Sequence, residues 1–139
     1  MVELVVVVAI IGVLTASVTV SFSGLGGTKL GADARKILTD ISWARERAAA
    51  THTRQGFSFD TSNRTYSVYK SPTATASDFT GDNFLKMAWL EVSLSLAAAN
   101  LWVYSPGGNI SGPATITLDY GGRTRLIRIF PDTGYARIE

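Results

Sequence analysis

Met1-Val2-Glu3-Leu4-Val5-Val6-Val7-Val8-Ala9-Ile10-Ile11-Gly12-Val13-Leu14 sets one carboxylate ahead of an unbroken apolar run, and no charge follows until Lys29. The uncharged span Leu4–Thr28 has the length of a helix that crosses a bilayer, which takes about 20 residues. Val and Ile are middling helix formers in water. In lipid the segment has to satisfy its own backbone groups, and the helix does so. Glu3 is the exception in the run, and two readings of it stand open. It is an interfacial carboxylate that snorkels to the headgroups, or it is kept for a partner cation. A free α-amino group on a neighbouring copy would serve, because a paired charge in low dielectric is far less costly than a lone one. An ordinary secretory signal fits less well. The run resembles an h-region and Ala16-Ser17 a weak cleavage site, but Glu3 stands where a signal carries Lys or Arg.

Working outward, Thr15–Ser23 is rich in small hydroxyls, which in a membrane face other helices and permit close approach. Gly24-Leu25-Gly26-Gly27 follows. Each glycine weakens a helix by about 1 kcal/mol relative to Ala, so a break, kink or melted stretch is expected at Gly24, Gly26 and Gly27. It is either a linker between anchor and domain or a stretch that unwinds when subunits pack. A helical period resumes at Leu30 and continues through Ala34, Ile37, Ile41, Ala44 and Ala48, with Leu38 widening the stripe. Lys29, Arg35, Lys36, Asp40 and Arg47 fill the opposite side, and Asp33 fits an N-cap or first-turn acid. This amphipathic helix is expected over residues 32–53. His52, the single histidine, suits capping at its end.

Strands are expected over residues 55–139. Phe57 and Phe59 alternate with small and polar residues, turn at 60–64 and return as Tyr66–Tyr69, a β-hairpin with a longer loop. Residues 71–82 form a polar loop. Asp78 and Asp82 flank Gly81 there, but a calcium loop needs more oxygen ligands. Phe84–Leu96 is ambiguous, with Val92, Leu94 and Leu96 alternating as in a strand. Leu101–Tyr104 is a strand stopped by Ser105-Pro106-Gly107-Gly108. Thr115–Tyr120, the two-residue turn Gly121-Gly122, Arg123–Phe130 and Tyr135–Ile138 make a three-stranded meander. Frequent aromatics and 13 glycines suit a sheet with tight turns.

The residues now carry a resemblance. Val2-Glu3-Leu4 and the apolar helix after it resemble the start of a mature type IV pilin or type II secretion pseudopilin. That family has a leader ending in Gly, then Phe-Thr-Leu-(Ile/Val)-Glu-Leu. Here the leader, its cleavage glycine and the first aromatic residue are not in the sequence, and Glu3 stands where the family has its fifth mature residue. Leu38-Thr39-Asp40-Ile41-Ser42-Trp43-Ala44-Arg45-Glu46-Arg47-Ala48 is similar to the Asp-Leu-x-x-Ala-Arg-x-x-Ala helix of the H-type pseudopilins and FimT-like minor pilins. Asn63-Arg64-Thr65-Tyr66-Ser67-Val68 is similar to the hairpin that follows it. The C-terminal strand pair, closed by Thr133-Gly134, fits the same group.

The resemblance implies an α+β subunit with a hydrophobic membrane or filament-core helix over 1–28 and a pilin-like domain over 29–139. It implies assembly through Glu3, Val5, Val8, Ile11 and Leu14 into a helical filament, by self-association or with other pilin-like subunits. The implied partners are an inner-membrane assembly platform and a leader peptidase/N-methyltransferase, whose cut creates the methylated amine that Glu3 faces. The chain is then held in the inner membrane before assembly and in a periplasmic or extracellular filament afterwards. Pilus and secretion pseudopilus, and minor and major subunit, stay open at this stage.

The chemistry visible in the sequence is sparse. At 139 residues and net charge +2, with a pI near 9.1, the chain has room for one domain besides the N-terminal segment, and its charge is a weak hint of an anionic partner. Without cysteine, disulfides, thiolate zinc sites and cysteine catalysis are excluded. His52 has no context for a Ser-His-Asp triad, and no phosphate-binding loop is present. No catalytic residue, metal or cofactor is assigned, and a membrane-anchored enzyme has no site to use. Gly122-Arg123-Thr124-Arg125 resembles the Gly-Arg-x-Arg pattern by which some minor pilins bind DNA during uptake. Arg123, Arg125 and Arg137 are the candidate DNA contacts, with Arg128 on the other face of a regular strand. The competing reading is a strand edge guarded by charge.

Overall fold

The computed structural model describes residues 1–71, 79–103, 110–112 and 115–139, with the side chains of these except 14–25 and 110. Asp78 of the calcium reading, Tyr104 and the turn at 105–108 lie outside the described residues, as do the assembly candidate Leu14 and the glycine Gly24 beyond their backbone.

Helix α1 runs from Val2 to Thr51 as a single α-helix. The break expected at Gly24–Gly27 is therefore corrected: the two helical segments are one. A helix needs no Cβ to continue its hydrogen-bond ladder, and about 1 kcal/mol per glycine does not outweigh the cooperativity of helix on both sides. Contacts from the sheet also support this stretch, since the Tyr120 ring and the Arg123 guanidinium lie against Gly26 and Gly27. The helix ends on His52, in the left-handed conformation at φ 53°, so the histidine is a C-cap. Asp33 lies mid-helix and is no N-cap, because the helix starts far ahead of it.

Among the described residues nine strands follow: β1 (Arg54–Asp60), β2 (Thr65–Ser71), β3 (Phe84–Trp89), β4 (Ser93–Leu96), β5 (Asn100–Val103), β6 (Ile110–Ser111), β7 (Thr115–Tyr120), β8 (Arg123–Phe130) and β9 (Tyr135–Ile138). They form two antiparallel sheets, in the orders β3-β2-β1-β5-β6 and β4-β7-β8-β9. The ambiguous stretch Phe84–Leu96 supplies a strand to each: β3 pairs with β2 and β4 with β7, and residues 90–92 cross between the sheets. The hairpin β1–β2 and the meander β7–β8–β9 are in the register their alternation implies. Gly121 and Gly122 both have positive φ, 60° and 75°, the pairing a two-residue turn between twisted strands requires.

The core lies between α1 and the inner faces of both sheets. The stripe Leu30, Ala34, Ile37, Ile41, Ala44 and Ala48 is buried to 1% exposure or less. Phe57, Phe59, Tyr66, Val68, Leu101 and Val103 meet it from the first sheet, and Leu94, Ile116, Leu118, Ile127 and Ile129 from the second. On the outer face of the first sheet Trp102 lies flat on Gly56: a Cβ there would stand 2.5 Å from the ring. The same Trp102 meets Phe79 at a tilt of 45° with ring centres 4.7 Å apart, and Phe79 meets Tyr69 edge-on at 5.1 Å.

Candidate assembly surface

Among the residues of α1 whose side chains are described, the first buried one is Leu30. Ahead of it the helix carries apolar side chains that the domain does not cover. Val2, Leu4, Val5, Val6, Val7, Val8, Ile10, Ile11 and Val13 are each at least half exposed, and Val6, Ala9, Ile10 and Val13 line one shallow apolar concavity. Among the described residues no helix is long and apolar enough to cross a membrane. The expected span Leu4–Thr28 is thus not met by them: the described apolar side chains end at Val13, short of the about 20 residues needed, and side chains 14–25 lie outside the description.

Glu3 sits exposed in the first turn of α1. There the partial positive charge of the helix end favours a carboxylate. Val5, Val8 and Ile11 share the exposed half of the helix with it.

A second stripe on α1 fixes the helix to the sheets. Lys29, Asp33, Lys36 and Asp40 repeat the spacing of Leu30, Ala34, Ile37 and Ile41 one residue earlier, and so flank the core stripe along one side. The Asp33 carboxylate is buried and accepts the backbone N–H groups of Glu91 and Val92 at 2.7 and 3.2 Å. The Lys36 ammonium donates to the Trp89 carbonyl at 2.7 Å, and Lys29 pairs with Glu91 at 2.9 Å. That hydrogen bond, and then the charge of its partner, raises the Lys29 pKa and lowers that of Glu91. Asp40 accepts the Tyr66 hydroxyl at 2.6 Å and forms an ion pair with Lys86. Burial first, then the bond to Asp40, pushes the Tyr66 phenol far above its usual range. Lys86 also lies 4.8 Å over the Trp43 ring, which Arg47 approaches at 5.4 Å. This polar stripe holds the end of β3 and the crossing at residues 90–92 against α1. Sequence reasoning placed Asp40, Lys36 and Lys29 on the solvent side; Lys36 is exposed and Lys29 partly so, but Asp40 is buried, and the signal missed is the spacing of this stripe in parallel with the core stripe.

The arginines divide by strand parity. In β8 the core residues Ile127 and Ile129 face α1, so Arg123 and Arg125 project on that same side. There Arg125 and Arg35 line an open groove floored by Gly27, Thr28, Gly31 and Ala32, and the Arg123 guanidinium lies 3.4 Å from the position of a Cβ on Gly27. Arg137 stands opposite Arg128 in the β8–β9 register, on the outer face. Both pair with Glu139 and lie over the Phe130 ring. The structure therefore brings Arg125 together with Arg35, sets Arg123 beside Gly27 on the same face, and leaves Arg137 on the other side of the sheet. Among the described residues no cluster of three metal-ligating side chains occurs.

A family profile described as "Type II transport protein GspH" matches residues 33–133, more than half of the chain. A comparison with curated proteins found no match. Among solved structures the fold is similar to that of the minor pseudopilin EpsH from the type 2 secretion system of Vibrio cholerae. The TM-score is 0.60 at 16% identity, over 80% of this chain and 96% of EpsH. The DNA-uptake and major-subunit readings draw no support from these matches.

Proposed function

The chain belongs to the type II transport protein GspH family, a structural and non-enzymatic subunit of a secretion pseudopilus, and we propose that α1 is the element through which it assembles. The observation that carries this reading is the row of exposed apolar side chains from Val2 to Val13 on a helix whose later turns are anchored in the core. Leaving such side chains in water forfeits about 25 cal/mol for each Å² of apolar surface that a neighbour could cover. Pseudopilins assemble with other pilin-like subunits in a filament. In that filament Val5, Val8, Ile11 and Leu14 pack against neighbouring α1 helices, and Glu3 pairs with a neighbour's N-terminal amine.

Before assembly, the uncharged run Leu4–Thr28 holds the subunit in the inner membrane. A leader peptidase/N-methyltransferase prepares its amine there, and an inner-membrane platform extracts it into the periplasmic filament. Fractionation of secreting cells tests the reading. The chain is expected in the inner-membrane pellet and, after assembly, in sheared filaments. Recovery only as a free periplasmic protein would overturn it.

The helical glycines support a change in α1 on assembly. A Cβ on Gly26 would meet Tyr120 at 3.4 Å, an ordinary contact, and on Gly12 or Gly31 it would meet nothing within 4 Å. Packing inside the subunit therefore does not require glycine there, yet each costs about 1 kcal/mol of helix stability. We assign that cost to unwinding around Gly24, Gly26 and Gly27 when subunits pack. Replacing Gly26 and Gly27 by Ala is expected to raise helix stability by about 2 kcal/mol in total, seen as a higher melting temperature, and to lower filament yield. A stabilised subunit with unchanged filament rise and yield would make the stretch a simple linker.

A further inference from the structure

The groove at Gly27–Arg35 lies where α1 leaves the domain. We propose that Arg35, Arg123 and Arg125 hold the phosphate of an anionic phospholipid headgroup while the subunit is stored in the membrane. The proposal rests on the membrane-storage reading above.

Position is the first support. At 1.5 Å per residue the helix from Leu4 to Gly27 is about 35 Å long, close to the roughly 30 Å of a bilayer's hydrocarbon core. With Leu4 at one boundary of the core, the groove stands at the headgroups of the other leaflet, on the side of the folded domain.

Charge is the second support. Lys29, Lys86, Arg128 and Arg137 each have a carboxylate partner within 4 Å. Among the described residues no carboxylate pairs with Arg35, Arg123 or Arg125. Arg123 and Arg125 are two residues apart on one strand face, about 7 Å; Arg35 on α1 and Arg125 line the groove together, and the Arg123 guanidinium lies beside Gly27 at its edge. Guanidinium forks match phosphate oxygens in bidentate geometry, and basic groups just outside the apolar segment are drawn to anionic lipid.

Shape is the third support. The floor is Gly27, Gly31 and Ala32, and a Cβ added at Gly31 would touch nothing within 4 Å. The groove has a volume of about 280 Å³, open to a headgroup entering alongside the helix. A duplex backbone would have to follow the arginines over a longer track, and Arg137, the next candidate, is on the opposite face.

The test uses the full chain reconstituted in phosphatidylcholine vesicles with a trace of spin-labelled phosphatidylglycerol or spin-labelled phosphatidylcholine. Wild type is expected to associate with labelled phosphatidylglycerol several-fold more strongly than with labelled phosphatidylcholine. The double variant Arg35→Gln/Arg125→Gln should lose that selectivity at unchanged circular dichroism and melting temperature. Arg128→Gln, on the outer face, should keep it. Equal association of both lipids with an inserted wild-type chain would overturn the proposal. So would an equal loss in Arg128→Gln, which would report net charge alone. If the arginine variants lose filament incorporation without any lipid selectivity in wild type, the groove serves a neighbour's carboxylate and the lipid assignment is wrong. A chain that carbonate extracts from the vesicles would instead bring down the membrane-storage reading, and the headgroup site with it.

Discussion

Asp40→Ala is expected to destabilise the folded domain by about 3 kcal/mol, near the lower end of the cost of removing one partner from a buried ion pair. Asp40 is 8% exposed and receives both the Tyr66 hydroxyl and the Lys86 ammonium. Truncation leaves the phenol without its acceptor in a buried position, a loss of about 1–3 kcal/mol. It also leaves the ammonium facing Trp43 without its counter-charge. The Lys86 side chain is 37% exposed, so water recovers part of that second loss, which keeps the total near the lower bound. For a domain of this size the melting temperature should fall by about 10–20 °C. Asp40→Asn still accepts from Tyr66 and should lose less. Urea unfolding of the three proteins checks the order, and an Asp40→Ala loss below 1 kcal/mol would mean that the stripe along Lys29–Asp40 does not fix α1 to the sheets.

Glu3→Gln is expected to leave the fold and its stability unchanged and to reduce incorporation into the pseudopilus at least tenfold. The carboxylate is exposed, and the described core residues of α1 lie far along the helix, from Leu30 onward. Its value lies in the assembled state. There a neighbour's protonated amine, taken out of water, needs an opposite charge, and removing one member of such a pair is the costly change. A tenfold loss corresponds to about 1.4 kcal/mol, a modest demand on an ion pair in an apolar filament core. Quantifying the subunit in sheared filaments from cells that make equal amounts of both proteins decides the matter. Normal incorporation of Glu3→Gln would remove the pairing and leave Glu3 as an interfacial carboxylate.

The parts of the fold that follow a strict period were legible. The Leu30–Ala48 stripe needs only the 3.6-residue repeat, and β7–β9 need only alternation and the Gly121-Gly122 turn. The continuity of α1 was not legible, because helix propensity counts the cost of Gly24, Gly26 and Gly27 and cannot see Tyr120 lying against Gly26 and Arg123 against Gly27. The division into two sheets was hidden in Phe84–Leu96. Its alternation is interrupted by residues 90–92, which are held by Asp33 from a helix far away in sequence. Strand parity did separate Arg128 from Arg123 and Arg125. It could not group Arg137 correctly until the β8–β9 register set it beside Arg128. Arg35 joins Arg125 only through the packing of α1 on β8, so no spacing in the sequence announced that pair. Glu3 and the apolar residues after it stand out because an acid ahead of such a run is conspicuous in any context, and their role in assembly is the proposal made above.

The central claim is that α1 makes the filament contacts. Because the chain has no cysteine of its own, a single cysteine at Val8 can carry a photoreactive benzophenone at one defined point on the exposed apolar helix. In cells with an assembled secretion system, irradiation is expected to attach the subunit at Val8 to another pilin-like subunit, and the same label at Lys70 on the sheet should not do so to the same extent. Adducts from Val8 to lipid alone, in sheared pseudopili that contain the labelled chain, would contradict the claim.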